Sequence, residues 1–304
     1  MFESMARRIT TFIIIIASLF TVGTRTDFAD SYEGHDFPLI SAAEKEEGKT
    51  RIMSFNIRAG DLNGVPSGKR ASIIALAINR IAPDCFGLQE SNGEWITKLR
   101  FLLPQYACVG VDRDTGRKIT GGEHAEIFYL RSKYKLLDSG NFWLSETPDV
   151  PSFGPGAAYR RVCTWVKLRN RITRETFVHI NTHFDHVSED ARVFAANYVN
   201  EFIQEHFPDE NVVFTADMNT TPDGAAYAKM TENLVDARLN ADKCVQYGTF
   251  HNMTPENAPD YYIDFILCSP GIHVCEYRTV TEGADGRFIS DHFPIYADLE
   301  FPKK

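Results

Sequence analysis

Four short apolar runs in this chain close on Asn56, Glu90, His183 and Asp217, and a fifth follows directly on the pair Asp291-His292. Runs of this length, bounded by turn residues, read as buried strands. A polar group at the end of such a strand sits where a sheet edge meets solvent. Five such ends restrict the architecture more than any bulk property does. They point to sheets, and the polar groups at their strand ends are the first candidates for chemistry.

The remaining pattern fills in the layers. Strands are expected at residues 51–56, 85–89, 106–111, 127–130, 134–143, 161–168, 176–182, 212–216, 263–268, 274–280 and 295–299. Residues 70–81 read as a helix stopped by Pro83. Ser91 and Glu94 form a capping box that opens a second helix through Trp95 and Leu99. The longest helix is expected over residues 188–207, with Val193, Ala196, Tyr198 and Phe202 as its inward stripe. Polar and Pro/Gly-rich loops fill residues 112–123 and 146–159, and Gly283 and Gly286 mark a turn before the last strand. Helices falling between strands in both halves indicate α/β (α+β) sheets covered by helices, in one domain. No internal repeat and no linker after Gly48 divides it.

Residues 1–24 have the form of a signal peptide. Arg7 and Arg8 precede an apolar run at 9–22, shorter than the roughly 20 residues of a membrane span and suited to a signal core. An uncleaved anchor is the alternative; either reading puts the protein outside the cytoplasm, secreted or extracytoplasmic. Residues 25–48 form a polar lead-in, and 49–304 the functional domain. Six cysteines in an exported chain invite a disulfide framework. However, Cys85, Cys163 and Cys268 sit inside apolar runs, where a small buried thiol is the plain explanation. Pairing among Cys108, Cys244 and Cys275 stays open. Of the two sequons, at Asn219 and Asn252, the second is the better glycan site. The net charge of −9 offers no overall basic excess for gripping a nucleic-acid backbone, which weighs against a nuclease without removing it.

Several polar groups carry candidate chemistry. Asn56 and Glu90 offer the hard oxygens that Mg²⁺ prefers, although Glu90 as a helix cap and Asn56 as a turn residue is the ordinary reading. Strand alternation puts His179, Asn181 and His183 on one face. The spacing is not that of a helical zinc motif, so a phosphate-contacting or proton-moving histidine fits better, with His179 expected as a satisfied surface group. Asp217 and Asn219 alternate in the same way, a carboxylate to orient water and an amide for a phosphoryl oxygen. Asp264 lies among large apolar neighbours and needs a partner; His292 is the obvious one. An Asp that holds one ring nitrogen fixes the tautomer and strengthens the other nitrogen as a base.

Ser54-Phe55-Asn56-Ile57-Arg58, Leu88-Gln89-Glu90, Asn181-Thr182-His183, Asp217-Met218-Asn219, Ile263-Asp264-Phe265 and Ser290-Asp291-His292-Phe293-Pro294 stand in one order. In that order they resemble the endonuclease/exonuclease/phosphatase superfamily, the DNase I-like enzymes, over residues 50–301. The stretches Phe142-Trp143-Leu144-Ser145-Glu146-Thr147-Pro148 and Thr182-His183-Phe184-Asp185-His186 are similar to its deadenylase-like branch of exported metal-dependent hydrolases. Ala216 before Asp217 and Leu130-Arg131 after Tyr129 depart from the usual pattern.

The resemblance implies a four-layer αββα sandwich and a metal-dependent phosphoric ester hydrolase working by in-line attack of an activated water. It implies Glu90 as the main Mg²⁺ (or Mn²⁺) ligand with Asn56 and Asp291 nearby. Asp217, Asn219, His183 and the Asp264–His292 pair would do the chemistry, with the base left open between Asp217 and His292. Arg161, Tyr129 and His251 are expected on the substrate. The expected substrate is a phosphodiester, as for a nuclease or phosphodiesterase; a phosphomonoester such as a sugar phosphate is the alternative, and an inactive binding module the remote one. A monomer with no stable protein partner is expected.

Overall fold

The computed structural model describes residues 44–62, 67–254, 256, 259–281 and 288–302. The leader, most of the lead-in and the Gly283–Gly286 turn lie outside the described residues. Among the described residues no helix is long and apolar enough to cross a membrane.

Two mixed sheets stack face to face. The strands are β1 (Thr50–Asn56), β2 (Cys85–Gln89), β3 (Tyr106–Val109), β4 (Ile127–Leu130), β5 (Tyr134–Trp143), β6 (Val162–Asn170) and β7 (Thr176–His183). They continue with β8 (Val212–Asp217), β9 (Val235–Asp236), β10 (Ala241–Val245), β11 (Asp264–Cys268), β12 (His273–Thr279) and β13 (Ile295–Glu300). One sheet has seven strands in the order β10-β12-β13-β1-β2-β4-β3; the other has six, β5-β6-β7-β8-β11-β9. The helices are α1 (Ser67–Ile81), α2 (Gly93–Leu102), α3 (Glu189–His206), α4 (Ala225–Met230) and α5 (Ala237–Asn240).

Strand alternation builds the layers. In β1, Met53 and Phe55 face outward with Phe86 and Leu88 of β2, packing on Ile74 and Ile78 of α1 and Trp95 and Leu99 of α2. In the other sheet Val178, Ile180, Phe214 and Ala216 face outward onto Ala195, Val199 and Ile203 of α3. Their sequence neighbours on the opposite face, Ile52, Cys85 and Val213, join Val166, Ile266 and Leu299 in the core between the sheets. Each sheet thus buries both faces, giving the expected αββα sandwich.

Towards one rim the inter-sheet layer turns polar and is tied together by side chains. Gln89 Nε2 donates to Asn181 Oδ1 at 2.7 Å and to Ser54 Oγ at 3.1 Å, while Asn181 Nδ2 donates to the carbonyl of Leu88 at 2.9 Å. His179 is fully buried, with Nε2 at 2.8 Å from Thr215 Oγ1 and Nδ1 at 3.0 Å from Cys85 Sγ. It is therefore not the surface histidine the alternation suggested, and burial pulls its pKa down to about 3. His179 and Asn181 share a face of β7 that meets the other sheet.

Gly87 makes this seam fit. A Cβ there would stand 2.3 Å from Asn181 Oδ1, which Gln89 holds across the layer, and 2.5 Å from Thr215 Oγ1, which is bonded to Asn181. Overpacking a rigid interior costs about 1–3 kcal/mol. Gly87→Ala is expected to lower the melting temperature by roughly 5 °C or more; an unchanged melting curve would mean that the seam yields freely.

Local differences from the sequence reading have simple causes. The cap of α2 is Asn92, whose side chain accepts from the amides of Glu94 and Trp95 at 3.1 and 3.2 Å. Ser91 instead accepts the His124 amide at 2.6 Å through its carbonyl. The buried face of α3 is Ala191, Ala195, Ala196, Val199, Asn200 and Ile203. Small alanines let the helix approach the sheet, and Val193, Tyr198 and Phe202 flank the contact, with Phe202 4.2 Å from Phe142 ring to ring. The short β9, α4, α5 and β10 carry too few residues for a periodic signal. All six cysteines are free, with Cys85, Cys163 and Cys268 buried as expected.

Candidate active site

The rim is assembled by strand register. β1 and β2 run parallel with Asn56 beside Gln89; β7 and β8 run parallel with His183 beside Asp217; β8 and β11 pair with Asp217 opposite Asp264. Chain direction changes sharply just past three of these ends. Arg58, Glu90 and Asn219 have φ of 54°, 62° and 49°, a left-handed backbone that disfavours side chains by about 1–2 kcal/mol. Residues held in this way, one beside each sheet edge, are a common mark of sites whose side chains must point one way.

Asn56 links the two sheets. Its Nδ2 donates to Glu90 Oε1 at 3.0 Å and to Asp217 Oδ2 at 2.8 Å, and its Oδ1 accepts from the Arg58 amide at 3.0 Å. Glu90 Oε2 accepts from the Ala59 amide at 2.9 Å. The Arg58 side chain pairs with Asp291. Two carboxylates from different sheets thus converge on one amide, with a third next to an arginine. This all-oxygen set of Glu90, Asp291 and Asn56 Oδ1 fits a hard divalent cation.

Behind it lies a buried trio. His292 Nδ1 is 2.9 Å from Asp264 Oδ2, and its Nε2 is 3.8 Å from Asp217 Oδ2. Asp217, Asp264 and His292 bring three ligand-type atoms within 4.8 Å of one another. Burial and the Asp264 charge push Asp217 up to about 7, against the opposing pull of His292 and Asn56. Burial works to lower His292, but the charges and hydrogen bond of Asp264, joined by Asp217, outweigh it and raise the imidazole to about 10. The ring carries a proton between two acids.

The third wall is basic. Arg113, Glu123, His124, Arg161 and His183 line a small, partly open cavity. His183 Nε2 lies 3.5 Å from Asp217 Oδ2. Burial, with the Arg161 and Arg113 charges, holds His183 well below the usual histidine range, so it is neutral. Arg161 is 4% exposed; one nitrogen sits 3.1 Å from His186 Nδ1, while Nε and Nη1 have no partner. Arg113 holds Glu123 through two bonds, at 2.6 and 3.2 Å. Two buried N–H groups without acceptors, set in a cavity, suit an anion.

Of the residues expected at the site, Asn56, Glu90, His183, Arg161, Asp217, Asn219, Asp264, Asp291 and His292 come together at this rim. Asn219 Nδ2 donates to the Phe184 carbonyl at 3.0 Å and its amide to Asp217 Oδ1 at 3.0 Å, so it buttresses Asp217. Tyr129 does not belong. It pairs with Cys85 at the opposite end of β2 from Glu90 and is packed in the inter-sheet core. His251 is adjacent but buried, its ring 4.2 Å from Phe293 and 4.5 Å from Phe288, with Nδ1 accepting from the Met253 amide at 3.1 Å. It supports the loop that carries Asp291 and His292 rather than facing the cavity. Arg58, Arg113, Glu123 and His124 join these at the rim without a strand-end signal of their own. Arg58 directly follows a recognised motif, whereas Arg113 is aimed only by the folding of a polar loop.

The model of the family described as "Endonuclease/Exonuclease/phosphatase family" matches residues 53–292. No curated protein matches the chain. Among solved structures, the mannosyl-6-phosphatase of Bacteroides thetaiotaomicron VPI-5482 is 32% identical, with a TM-score of 0.78 over 83% of this chain and 100% of that one. An endonuclease/exonuclease/phosphatase from Bacteroides vulgatus is 34% identical, with a TM-score of 0.78 over 84% and 100%. The human Nocturnin catalytic domain, 19% identical with a TM-score of 0.67 over 85% and 97%, shares the fold.

Proposed function

Because the chain belongs to the endonuclease/exonuclease/phosphatase family, and is thereby a phosphoester hydrolase, we propose that its substrate is a compact phosphomonoester of the sugar-phosphate kind. The observation that carries this reading is the basic wall. It is a small cavity around buried Arg161, whose unpaired Nε and Nη1 suit one terminal phosphoryl group. The net charge of −9 points the same way. The B. thetaiotaomicron relative, called a mannosyl-6-phosphatase, adds support. The monoester reading is thus preferred to the phosphodiester expected first.

In this reading Glu90, Asn56 and Asp291 hold a divalent cation, Mg²⁺ or Mn²⁺. When bound it would neutralise charge on the phosphoryl group and on the water beside it. The protein's own groups do the rest. Arg161 donates to the non-bridging phosphoryl oxygens, and neutral His183 holds the face next to Asp217. Asp264 accepts from His292 Nδ1 and keeps the ring charged, which makes Asp217 the group that takes a proton from water. The water oxygen bonds to phosphorus as the ester P–O bond opposite it breaks. The departing alkoxide takes its proton from solvent.

Turnover should be measured with p-nitrophenyl phosphate, bis-p-nitrophenyl phosphate, hexose phosphates and oligo(A). Monoester hydrolysis is expected, abolished by EDTA and restored by Mg²⁺ or Mn²⁺. Activity confined to the diester and oligo(A) would overturn the proposal.

A further inference from the structure

A second carboxylate–histidine pair lies on the cavity wall and has no part in the scheme above. His124 Nδ1 is 2.9 Å from Glu126 Oε1, and both residues are buried, 2% and 1% exposed. Glu126 engages Nδ1, which leaves Nε2 as the free polar atom of the ring. That Nε2 is buried with no partner, although His124 lines the cavity that Arg161 shares.

The pair is held firmly. The His124 amide donates to the Ser91 carbonyl at 2.6 Å, and isolated bridges join His124 to both Ser91 and Asp112. Asp112 in turn folds the preceding loop, accepting from the amides of Asp114, Thr115 and Arg117 at 2.9, 2.7 and 2.8 Å. The Glu126 carboxylate occupies the space that a Cβ on Gly110 would fill, 2.4 Å away, where φ is 158°. A buried ionisable pair of this kind adds little stability over apolar packing. Its position on the cavity wall is what asks for an explanation.

The lining groups divide by polarity. Arg161 presents unpaired donors, which suit phosphate. His124 Nε2 is unpaired and suits a hydroxyl group, while the Glu123 carboxylate, both of whose oxygens are held by Arg113, discourages a second anion. We propose that His124, oriented by Glu126, is a specificity-determining residue. Through Nε2 it hydrogen-bonds a hydroxyl on the alcohol part of the substrate, so the site takes polyhydroxylated phosphates over alkyl or aryl ones. This rests on the phosphomonoesterase reading and names the substrate class within it. A site built to hydrogen-bond a hydroxyl discriminates against analogues that lack it far more than an apolar pocket does.

The test compares kcat and KM for a hexose 6-phosphate and for p-nitrophenyl phosphate in wild type, His124→Phe and Glu126→Gln, with near-UV circular dichroism as the fold control. In His124→Phe the ratio of kcat/KM values, sugar over aryl, is expected to fall at least tenfold, chiefly through KM of the sugar phosphate. Glu126→Gln can still accept from Nδ1 through its amide oxygen, so it should keep most of the preference; it also serves where His124→Phe fails to fold, because Glu126→Leu in its place should lose the preference. An unchanged ratio in folded His124→Phe, or in folded Glu126→Leu, would overturn this inference alone. A wild type that cleaves only diesters would overturn the phosphomonoesterase reading, and this one with it.

Discussion

His292→Ala is expected to lower kcat for phosphate-ester hydrolysis by about 10³-fold, within the range found when a positioned acid–base group is removed. The geometry explains the size. Among the described residues, His292 is the side chain that the two buried acids Asp264 and Asp217 share, at 2.9 and 3.8 Å. Removing the ring takes away the positive charge and leaves two carboxylates facing one another in a dry site. One of them must then stay protonated, and Asp217 is already pushed up to about 7 by burial and by Asp264. A protonated Asp217 cannot accept from water. The same loss weakens the fold, since an unpaired buried charge is costly. His292→Gln therefore belongs beside it: its amide can still donate to Asp264 and fill the space, but it carries no charge. Both variants should be slow, and His292→Gln should melt closer to wild type. Near-wild-type turnover in folded His292→Gln would remove the histidine from the chemistry.

Most of this site was legible because period-two alternation and strand ends are written locally. Asn56, Glu90, His183, Asp217 and Asp264 each close or open a run whose neighbours are apolar, and register alone brings them to one rim. What alternation does not encode is which face looks at the other sheet. His179 was read as a surface group for that reason and is buried between layers. Tyr129 failed differently. Its strand was placed correctly, but antiparallel pairing with β2 puts it level with Cys85, at the far end from Glu90. Position along a paired strand depends on direction, which a single strand's sequence does not state. Arg113, Glu123 and His124 were hidden because Asp112 and its turn aim them, and a loop closed by its own side chain has no periodicity to read. The same holds for Asn92, which displaced Ser91 as cap by one residue.

The second large effect is at Glu90. Glu90→Ala is expected to abolish turnover, by about 10³-fold or more, and to remove the enzyme's response to added Mg²⁺ or Mn²⁺. Its carboxylate is the point where β2 meets the rim, fixed by Asn56 Nδ2 at 3.0 Å and the Ala59 amide at 2.9 Å. Even groups that only orient a metal's ligands cost 10–100-fold in affinity when removed, so loss of a proposed ligand should cost more. Titration calorimetry with Mn²⁺ reads this without reference to activity. Stability should move little, because two opposing terms meet at this residue. Alanine forfeits the two hydrogen bonds, but the Asn56 amide keeps Asp217 at 2.8 Å as an acceptor, and Ala59 lies where water can reach its neighbour's place. A Glu90→Gly variant separates the terms further: φ at this position is 62°, which glycine adopts without penalty. It should melt no lower than Glu90→Ala, with turnover and Mn²⁺ affinity equally lost. Undiminished Mn²⁺ binding in either folded variant would move the cation away from Glu90. The buried trio of Asp217, Asp264 and His292 would then be the next place at this rim to look for it.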